Sequence, residues 1–337
     1  MKKLFLLSIC FSFLTVFAQK IPCQANWTKG MEFSYNIVRQ QNVKFDYGQL
    51  LGEETANETL AGLPDDDTLT YTLHLKVLDA TSDGYRLEAK FDHKFDSLVK
   101  VNRKTSIPFP EYEKMHTVIY TTSTSGELKE IENIEEIATA YTSMLKTNIM
   151  LELASAKEAE MAELTEEGDS VFTEEEYDST TYAIAELLFE MTKEKYFNSN
   201  FLFQEIYNEL YLIHTPFGHT VSTKKATSYK QNFAKSSILD FEATCDVQLA
   251  VKDLDTDHKI CHLQKSEKLD SKSIKNMSKE LSKEVASMMN IINEGDIEFN
   301  YGTGVSQKVN SIQGVEMNYE GTQIMSVKML TDITLVK

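Results

Sequence analysis

Apolar residues that alternate with polar ones dominate the chain on both sides of one long helical segment. From Leu239 to Val251 every second residue is apolar, and the stretch from Leu69 to Phe91 repeats the pattern around a turn at 79–84. Such alternation predicts antiparallel strands with one buried and one solvated face. Between them, Ile134 to Tyr211 has helical periodicity, and the polar stretch from Gln40 to Asp67 predicts a long loop. The chain therefore has to combine a one-sided sheet with helices that cover it.

These patterns predict an α+β fold: a curved, half-barrel-like antiparallel β-sheet with helices packed on one face and a long acidic helical block in the middle of the chain. Periodicity predicts one helix from Ile134 to about Leu164, a second that begins at Thr173 and a third from Ser273 to Glu294. Gly295 is predicted to end the third helix as its C-cap. The aromatic-rich stretch Phe201–Tyr211 fits either a helix or a strand.

The first eighteen residues have the composition of an export signal. Lys2 and Lys3 precede an apolar run from Leu4 to Phe17, and Ala18 stands before Gln19. This predicts cleavage before Gln19 and delivery of residues 19–337 to the periplasm or the extracellular space. The apolar run is shorter than the roughly 20 residues of a spanning helix, and no transmembrane segment is predicted.

Residues 19–337 are predicted to form a single α+β domain. The alternative is two β-rich lobes, 19–130 and 212–337, joined by the helical segment 131–211. No internal repeat with a fixed period of about 20 to 50 residues decides between them.

Negative charge is concentrated in the helical block. Glu127 to Asp178 contains sixteen acidic residues and three lysines, and removal of the first eighteen residues changes the net charge of the chain from −18 to −20. Nucleic-acid binding depends on Lys and Arg that neutralise phosphates, so no nucleic-acid partner is predicted. The charge favours solubility and would also suit a basic protein partner.

Three cysteines follow the predicted cleavage site: Cys23, Cys245 and Cys261. One disulfide with one remaining thiol, or three free buried thiols, both fit an exported chain. If the intervening hairpin turns at 253–257, Cys245 and Cys261 lie about four residues out of register, beyond the separation of about 7 Å that a disulfide tolerates. Cys23 is then an equally good partner for either.

The second predicted helix is apolar on two opposite faces. Tyr182, Phe189 and Tyr196 follow one another at seven-residue intervals on one of them. A helix of this kind is usually sandwiched between layers of its own protein; otherwise its second face meets a ligand or partner. Together with Tyr71 and Phe91 of the first predicted hairpin, these aromatic residues are the candidate lining of an apolar cavity between sheet and helices.

Metal-ligand spacing occurs in one place. His258 and His262 are predicted to face the same outward side of a strand, and Asp253, Asp255 and Asp257 have the spacing that opens a calcium loop. The glycine and the glutamate that an EF-hand requires are missing from the following residues. A hairpin turn with a solvated strand is the favoured interpretation, so no metal and no cofactor are predicted and these five residues are only weak candidates.

Three other histidines have structural interpretations. His93 continues the buried side of the first hairpin and is predicted to be an interior histidine. His214 and His219 flank Pro216-Phe217-Gly218, which predicts an exposed turn. No phosphate loop, dinucleotide fingerprint, HExxH helix or GxSxG elbow is present, so no catalytic residue is predicted and a non-enzymatic role is favoured, with an enzyme left open.

The segment Gly126 to Ile137 resembles a strand-turn-strand-helix passage of uncharacterised secreted proteins of Bacteroidota. Asp169-Ser170-Val171 resembles the O-glycosylation acceptors of exported proteins in that group, which makes Ser170 a candidate glycosylation site. At the level of the fold, one-sided strands with covering helices resemble the half-barrel LolA- and LppX-like carriers of lipoproteins or lipids in bacterial envelopes.

The leading hypothesis is therefore an exported soluble binding protein that holds a lipid or another apolar small molecule between sheet and helices. The alternative is a surface or interaction protein whose acidic helices bind a basic protein partner. A hydrolase or metal enzyme, which would need converging histidines or carboxylates, is the third hypothesis.

Overall fold

The computed structural model of the protein describes residues 19–45, 67–95, 112–144, 197–233, 243–280, 287–319 and 321–336, together with residues 183 and 187. Most of these residues belong to one open antiparallel sheet of eleven strands. The prediction of an α+β fold built on an antiparallel sheet is thus confirmed. Most of the predicted acidic helical block lies outside the described residues.

Thirteen strands are described, numbered here in chain order. They are β1 Lys20–Pro22, β2 Glu32–Phe45, β3 Asp67–Thr81, β4 Gly84–Asp92, β5 Thr117–Thr122, β6 Leu128–Ile131, β7 Thr220–Ser222, β8 Thr227–Phe233, β9 Ala243–Asp255, β10 Ile260–Leu269, β11 Met289–Asn300, β12 Val305–Tyr319 and β13 Thr322–Val336. The large sheet has the order β6-β5-β4-β3-β2-β13-β12-β11-β10-β9-β8, and β1 pairs with β7 in a separate two-stranded sheet.

Strands from both halves of the chain share the large sheet. β2 pairs with β3 on one side and with β13 on the other, so the first hairpins and the last strands form one continuous ladder. β2 runs to Phe45, which places Gln40 and Gln41 in a strand rather than in the predicted loop. Both residues have partners on β13 and on β3, so their place in the sheet is set by pairing with these two strands rather than by the polarity of their side chains.

The prediction of a helix from Ser273 to Glu294 is wrong from Met289 onward. The structure describes helix over Ser271–Glu280 and at residues 287–288, and β11 begins at Met289. Gly295 is a mid-strand residue opposite Ser311, not a helix cap. A Cβ at Gly295 would collide with the backbone carbonyl oxygen of Asn310, so glycine is required there by the close approach of β12. The local helical pattern is overridden by strand pairing.

The buried helical segment, defined here as Ser199–Phe201, Leu202–Ile206 and Asn208–His214, resolves the ambiguity of the aromatic-rich stretch. Its middle part is a π-helical turn, closed by the Tyr207 amide donating to the Leu202 carbonyl at 2.7 Å. All residues from Asn208 to His214 are buried. Ser306 of β12 donates a hydrogen bond from Oγ to the Ile213 carbonyl at 2.7 Å. This segment therefore lies directly on the sheet.

The core lies between the buried helical segment and one face of the sheet, called the inner face here. Directly opposed residues of neighbouring strands share a face. One such row crosses six strands and is fully buried: Tyr71, Ile37, Ile333, Val309, Ile297 and Leu263. Helix residues 134–144 add Ile137, Ala140 and Met144 to the same core.

Candidate functional site

A cleft of about 530 Å³ opens beside the buried helical segment, where the inner face continues beyond the core. Its floor consists of apolar side chains of β11, β12 and β13: Met289, Ile291, Val315, Met325, Val327 and Met329. Its polar lining comes from β2, β11 and the helical segment: Arg39, Gln41, Asn293, Gln204, Glu205 and Asn208. The floor residues are half-buried, whereas the residues of the core row are fully buried.

Residue polarity changes in steps along the strands of the inner face. Next to the core row stands a row with polar and small members: Arg39, Thr331, Ser311, Gly295 and Lys265. It is followed by Gln41, Met329, Gln313 and Asn293, then by Val43, Val327, Val315 and Ile291, and finally by Phe45, Met325, Met317 and Met289. The cleft thus has a polar inner end near the helical segment and an apolar outer end, the methionine rim (Met289, Met317 and Met325).

A buried ionic group, called the Glu209 cluster here, lies at the inner end. Lys94 Nζ approaches Glu209 Oε2 to 2.5 Å, and Arg39 Nη1 approaches Oε1 to 3.3 Å. The Tyr71 hydroxyl donates a further hydrogen bond to Oε1. The exposed side-chain fractions are 1% for Glu209, 4% for Lys94 and 21% for Arg39. Arg39 is therefore the member that reaches from the core into the cleft.

Aromatic rings and the backbone complete the surroundings of Lys94. Its Nζ donates to the Ile206 carbonyl at 2.5 Å and lies 4.7 Å from the ring centre of Phe91. Burial lowers the pKa of Lys94 to about 8, although the Glu209 carboxylate acts in the opposite direction. Burial acts to raise the pKa of Glu209, but the charges of Lys94 and Arg39 overcome this and hold it below its usual value. The pair is therefore ionised at neutral pH.

His93 is exposed, which corrects the prediction of an interior histidine. Its φ of 70° turns the chain at the end of β4. Lys94 and Phe95 consequently enter the core instead.

A second buried ionic group, the Glu267 cluster, lies on the other side of the helical segment. Lys265 Nζ approaches Glu267 Oε1 to 2.5 Å, and the Tyr211 hydroxyl donates to the same oxygen at 2.9 Å. Asn293 donates from Nδ2 to Glu267 Oε2. Both clusters thus receive a side chain from the helical segment, Glu209 and Tyr211, and both reach the cleft, through Arg39 and Asn293.

Two of the five aromatic candidates, Tyr71 and Phe91, lie within the described residues. Tyr71 and Phe91 are 3% and 0% exposed and pack in the core, with ring centres 6.5 Å apart, rather than on the lining of the cleft. Their parity on the strands identified them as buried but could not distinguish a cavity wall from packed core. Tyr182, Phe189 and Tyr196 lie outside the described residues.

The weak metal candidates lie in and beside the hairpin turn that joins β9 and β10. His258 lies in the turn rather than on the strand predicted for it, and its Nδ1 is 2.7 Å from Asp255 Oδ2. Asp255 Oδ1 also accepts hydrogen bonds from the backbone amides of Asp257 and His258. His262 is on β10 opposite Asp253. Across the described ranges, no group of three or more His, Cys, Asp or Glu side chains could hold a metal ion.

His214 is buried, which corrects its prediction as part of an exposed turn. It ends the helical segment, with Nδ1 2.7 Å from the Gly126 carbonyl and Nε2 3.0 Å from the Tyr120 hydroxyl. Burial lowers its pKa to about 4. His219 is half-buried and stacks on Tyr229 with ring centres 3.9 Å apart. These two histidines and the pair at 258 and 262 belong to different elements.

All three cysteines of the described chain are buried and free. Burial raises the pKa of Cys23 and Cys245 to about 12 and that of Cys261 to about 11. The hairpin turns at 256–259, so Cys245 stands opposite Leu269 and Cys261 opposite Leu254. The expected register was wrong because the turn is shifted toward the C-terminus. Ser170 lies outside the described residues.

No family model and no curated protein sequence matches the chain. One solved structure with a similar chain path is described as showing lipid–protein interactions in lipovitellin. The TM-score is 0.40 at 6% sequence identity, and the match covers 93% of this chain and 26% of that one. The present chain therefore spans about a quarter of that neighbour, and the likeness carries no argument about function. In the part of the chain that the structure describes, none of the helices has the length and apolarity needed to cross a membrane.

Proposed function

We propose that the protein is an exported binding protein that holds an apolar chain in the cleft beside the buried helical segment. The observation that carries this proposal is the cleft floor, where three neighbouring strands present half-buried Val, Ile and Met side chains around about 530 Å³. Ligand sites commonly have volumes of about 300 to 1,000 Å³ and mainly apolar walls with a few placed polar groups.

The chemistry of the floor suits a flexible aliphatic ligand. Met289, Met325 and Met329 provide unbranched, adaptable side chains, which are common on surfaces that accept ligands of variable shape. Each methylene that a ligand buries contributes about 0.8 kcal/mol. The same proposal includes the export signal of residues 1–18, a source among the Bacteroidota, and a fold-level resemblance to envelope lipid carriers.

Titration with Nile red, an uncharged apolar dye, tests this function. The wild-type protein is expected to bind it with a rise in fluorescence, and Val327→Trp, which fills the cleft without adding charge, is expected to weaken binding at least ten-fold. Thr334→Trp, at an exposed position of the same strand, is the matched control and should bind like the wild type. Equal binding by a folded Val327→Trp variant and the wild type would contradict the proposal.

A further inference from the structure

We infer that the ligand is a long-chain carboxylate whose charged group lies at the inner end of the cleft beside Arg39 and whose alkyl chain runs along the strands to the methionine rim. This inference rests on the proposed function and adds the headgroup chemistry and the orientation of the ligand.

Within the Glu209 cluster the cations outnumber the carboxylates, in a place that is nearly closed to solvent, and the next carboxylate that acts on Arg39 is Glu205 on the cleft wall. Two cations, Lys94 and Arg39, share one carboxylate, and the three side chains are at most 21% exposed. Placing charge in a poorly solvated site is costly unless an opposite charge compensates it. A ligand carboxylate at the inner end would supply that compensation, and electrostatic complementarity of this kind sets ligand specificity.

Arg39 is suited to bind the carboxylate because Glu209 and the Tyr71 hydroxyl engage its guanidinium group only in part. Nη1 donates to Glu209 at 3.3 Å, whereas Nη2 points to the thioether sulfur of Met329 at 3.4 Å, a weak acceptor. A guanidinium group has five N–H donors in a planar fork that matches a carboxylate. Arg39 also lines the cleft, so a ligand can reach these donors.

Glu205, on the cleft wall, would compete with a ligand carboxylate for Arg39. Burial raises the pKa of Glu205, while the charge of Arg39 acts to lower it, so the two groups sense each other. A ligand carboxylate would have to share Arg39 with Glu205. Removing the charge of Glu205 should therefore tighten the binding of a carboxylate and leave an uncharged ligand unaffected.

The dimensions of the inner face fix the direction of the chain. From Thr331, opposite Arg39, to Met325 on the rim there are six residue steps, or about 20 Å at about 3.3 Å per residue. The row that contains Arg39 has polar and small members, and the outermost row is apolar. Asn293 lies three strands away from β2, about 14 Å, and so belongs to the side wall rather than to the headgroup position.

Calorimetric titration with dodecanoate and with dodecanol, which share one chain and differ in charge, tests the inference. Wild-type protein is expected to bind dodecanoate at least ten-fold more tightly than dodecanol. Arg39→Gln should abolish that preference, and Glu205→Gln should raise the affinity for dodecanoate several-fold but not that for dodecanol.

Each outcome distinguishes the inference from the function on which it rests. If wild-type protein binds Nile red but shows equal affinity for the acid and the alcohol, the headgroup inference is wrong and the cleft function stands. If neither Nile red nor either dodecyl compound binds, the proposed function itself is wrong. If Arg39→Gln does not fold, Glu205→Gln decides, since an unchanged ratio of acid to alcohol affinity in that variant contradicts the role of Arg39.

Discussion

At the residue scale, charged side chains occupy positions whose strand parity marks them as buried. Arg39 continues the inward parity of Tyr35 and Ile37, and Lys265 and Glu267 continue that of Cys261 and Leu263. This departure from alternation is visible in the sequence and could have identified both clusters. Their partners could not be identified in this way, because Glu209 and Tyr211 come from a distant helical segment.

Glu209→Gln tests how much the Glu209 cluster contributes to the stability of the fold. Loss of the carboxylate leaves Lys94 and Arg39 without their buried counter-ion, and breaking a buried pair in this way typically costs about 3 to 5 kcal/mol. We expect a decrease of that size in the free energy of unfolding, measured by urea denaturation. The matched control is Lys76→Met, which breaks the exposed Lys76–Glu32 pair at 2.8 Å and should leave stability unchanged. Similar effects of the two substitutions on stability would contradict the role of Glu209 as a buried counter-ion of Lys94 and Arg39.

His214 should make stability depend on pH below neutrality. In the folded protein burial lowers its pKa to about 4, against an ordinary value of 6.5, so the unfolded chain takes up a proton first. Neutral His214 contributes fully to the free energy of unfolding above pH 6.5. This contribution is lost as the pH falls toward 4, and the loss is at most about 3 kcal/mol. Unfolding free energies of the wild type and His214→Gln should converge over this range. Parallel pH curves would show that His214 is not buried in its neutral form.

At the scale of elements, the local periodicity of apolar residues identified most strands. It failed where pairing with neighbouring strands determines the structure instead. The hairpin of β3 and β4 and the inward residues of β9 follow the predicted alternation. In contrast, Ile292 fits a helical stripe, yet β11 begins at Met289 because β12 pairs with it from Met289 to Asn300 and β10 joins from Glu294 onward. The polarity of Gln40 and Gln41 likewise concealed the end of β2. Whether such a stretch forms a strand depends on the neighbouring strands in the sheet, and the sequence does not indicate which strands these are.

Gly295→Ala tests the revised assignment of β11. The added methyl group would meet the Asn310 carbonyl oxygen of the adjacent strand, a backbone atom that cannot move away, and we expect a loss of about 1 to 3 kcal/mol in the free energy of unfolding. Gly302→Ala is the control, because the added group would meet mainly the flexible Lys259 side chain. Thermal denaturation of both variants checks the difference. If Gly295 were a helix cap beyond the sheet, both substitutions would have small effects.

At the scale of the whole molecule, one sheet joins the two ends of the chain and leaves part of its inner face uncovered by the core. The pairing of β13 with β2 brings Arg39 beside the strands that provide the apolar floor. The sequence predicted a sheet with helices and an apolar binding function, but it did not predict this cleft. Tyr71 and Phe91, the two predicted lining residues that the structure describes, lie in the core, and the floor of the cleft consists of short aliphatic rows that become adjacent only through strand order.

The length of the ligand's alkyl chain should control its affinity if the chain extends to the methionine rim. Dodecanoate has four methylenes more than octanoate, and at about 0.8 kcal/mol for each buried methylene it should bind up to about 3 kcal/mol more tightly. Calorimetry of both acids on wild-type protein measures this difference. The Val327→Trp variant serves as the control and should show little dependence on chain length, since its cleft is filled. Equal affinities of the two acids for the wild type would place the alkyl chain outside the cleft.

The most direct test of a cleft that binds an amphiphile with its carboxylate inward is a crystal structure with 12-bromododecanoate, in which anomalous scattering locates the bromine at the end of the chain. The account predicts the bromine at the methionine rim, near Met289, Met317 and Met325, with the carboxylate beside Arg39. Bromine beside Arg39, or a ligand bound elsewhere on the protein, would contradict it.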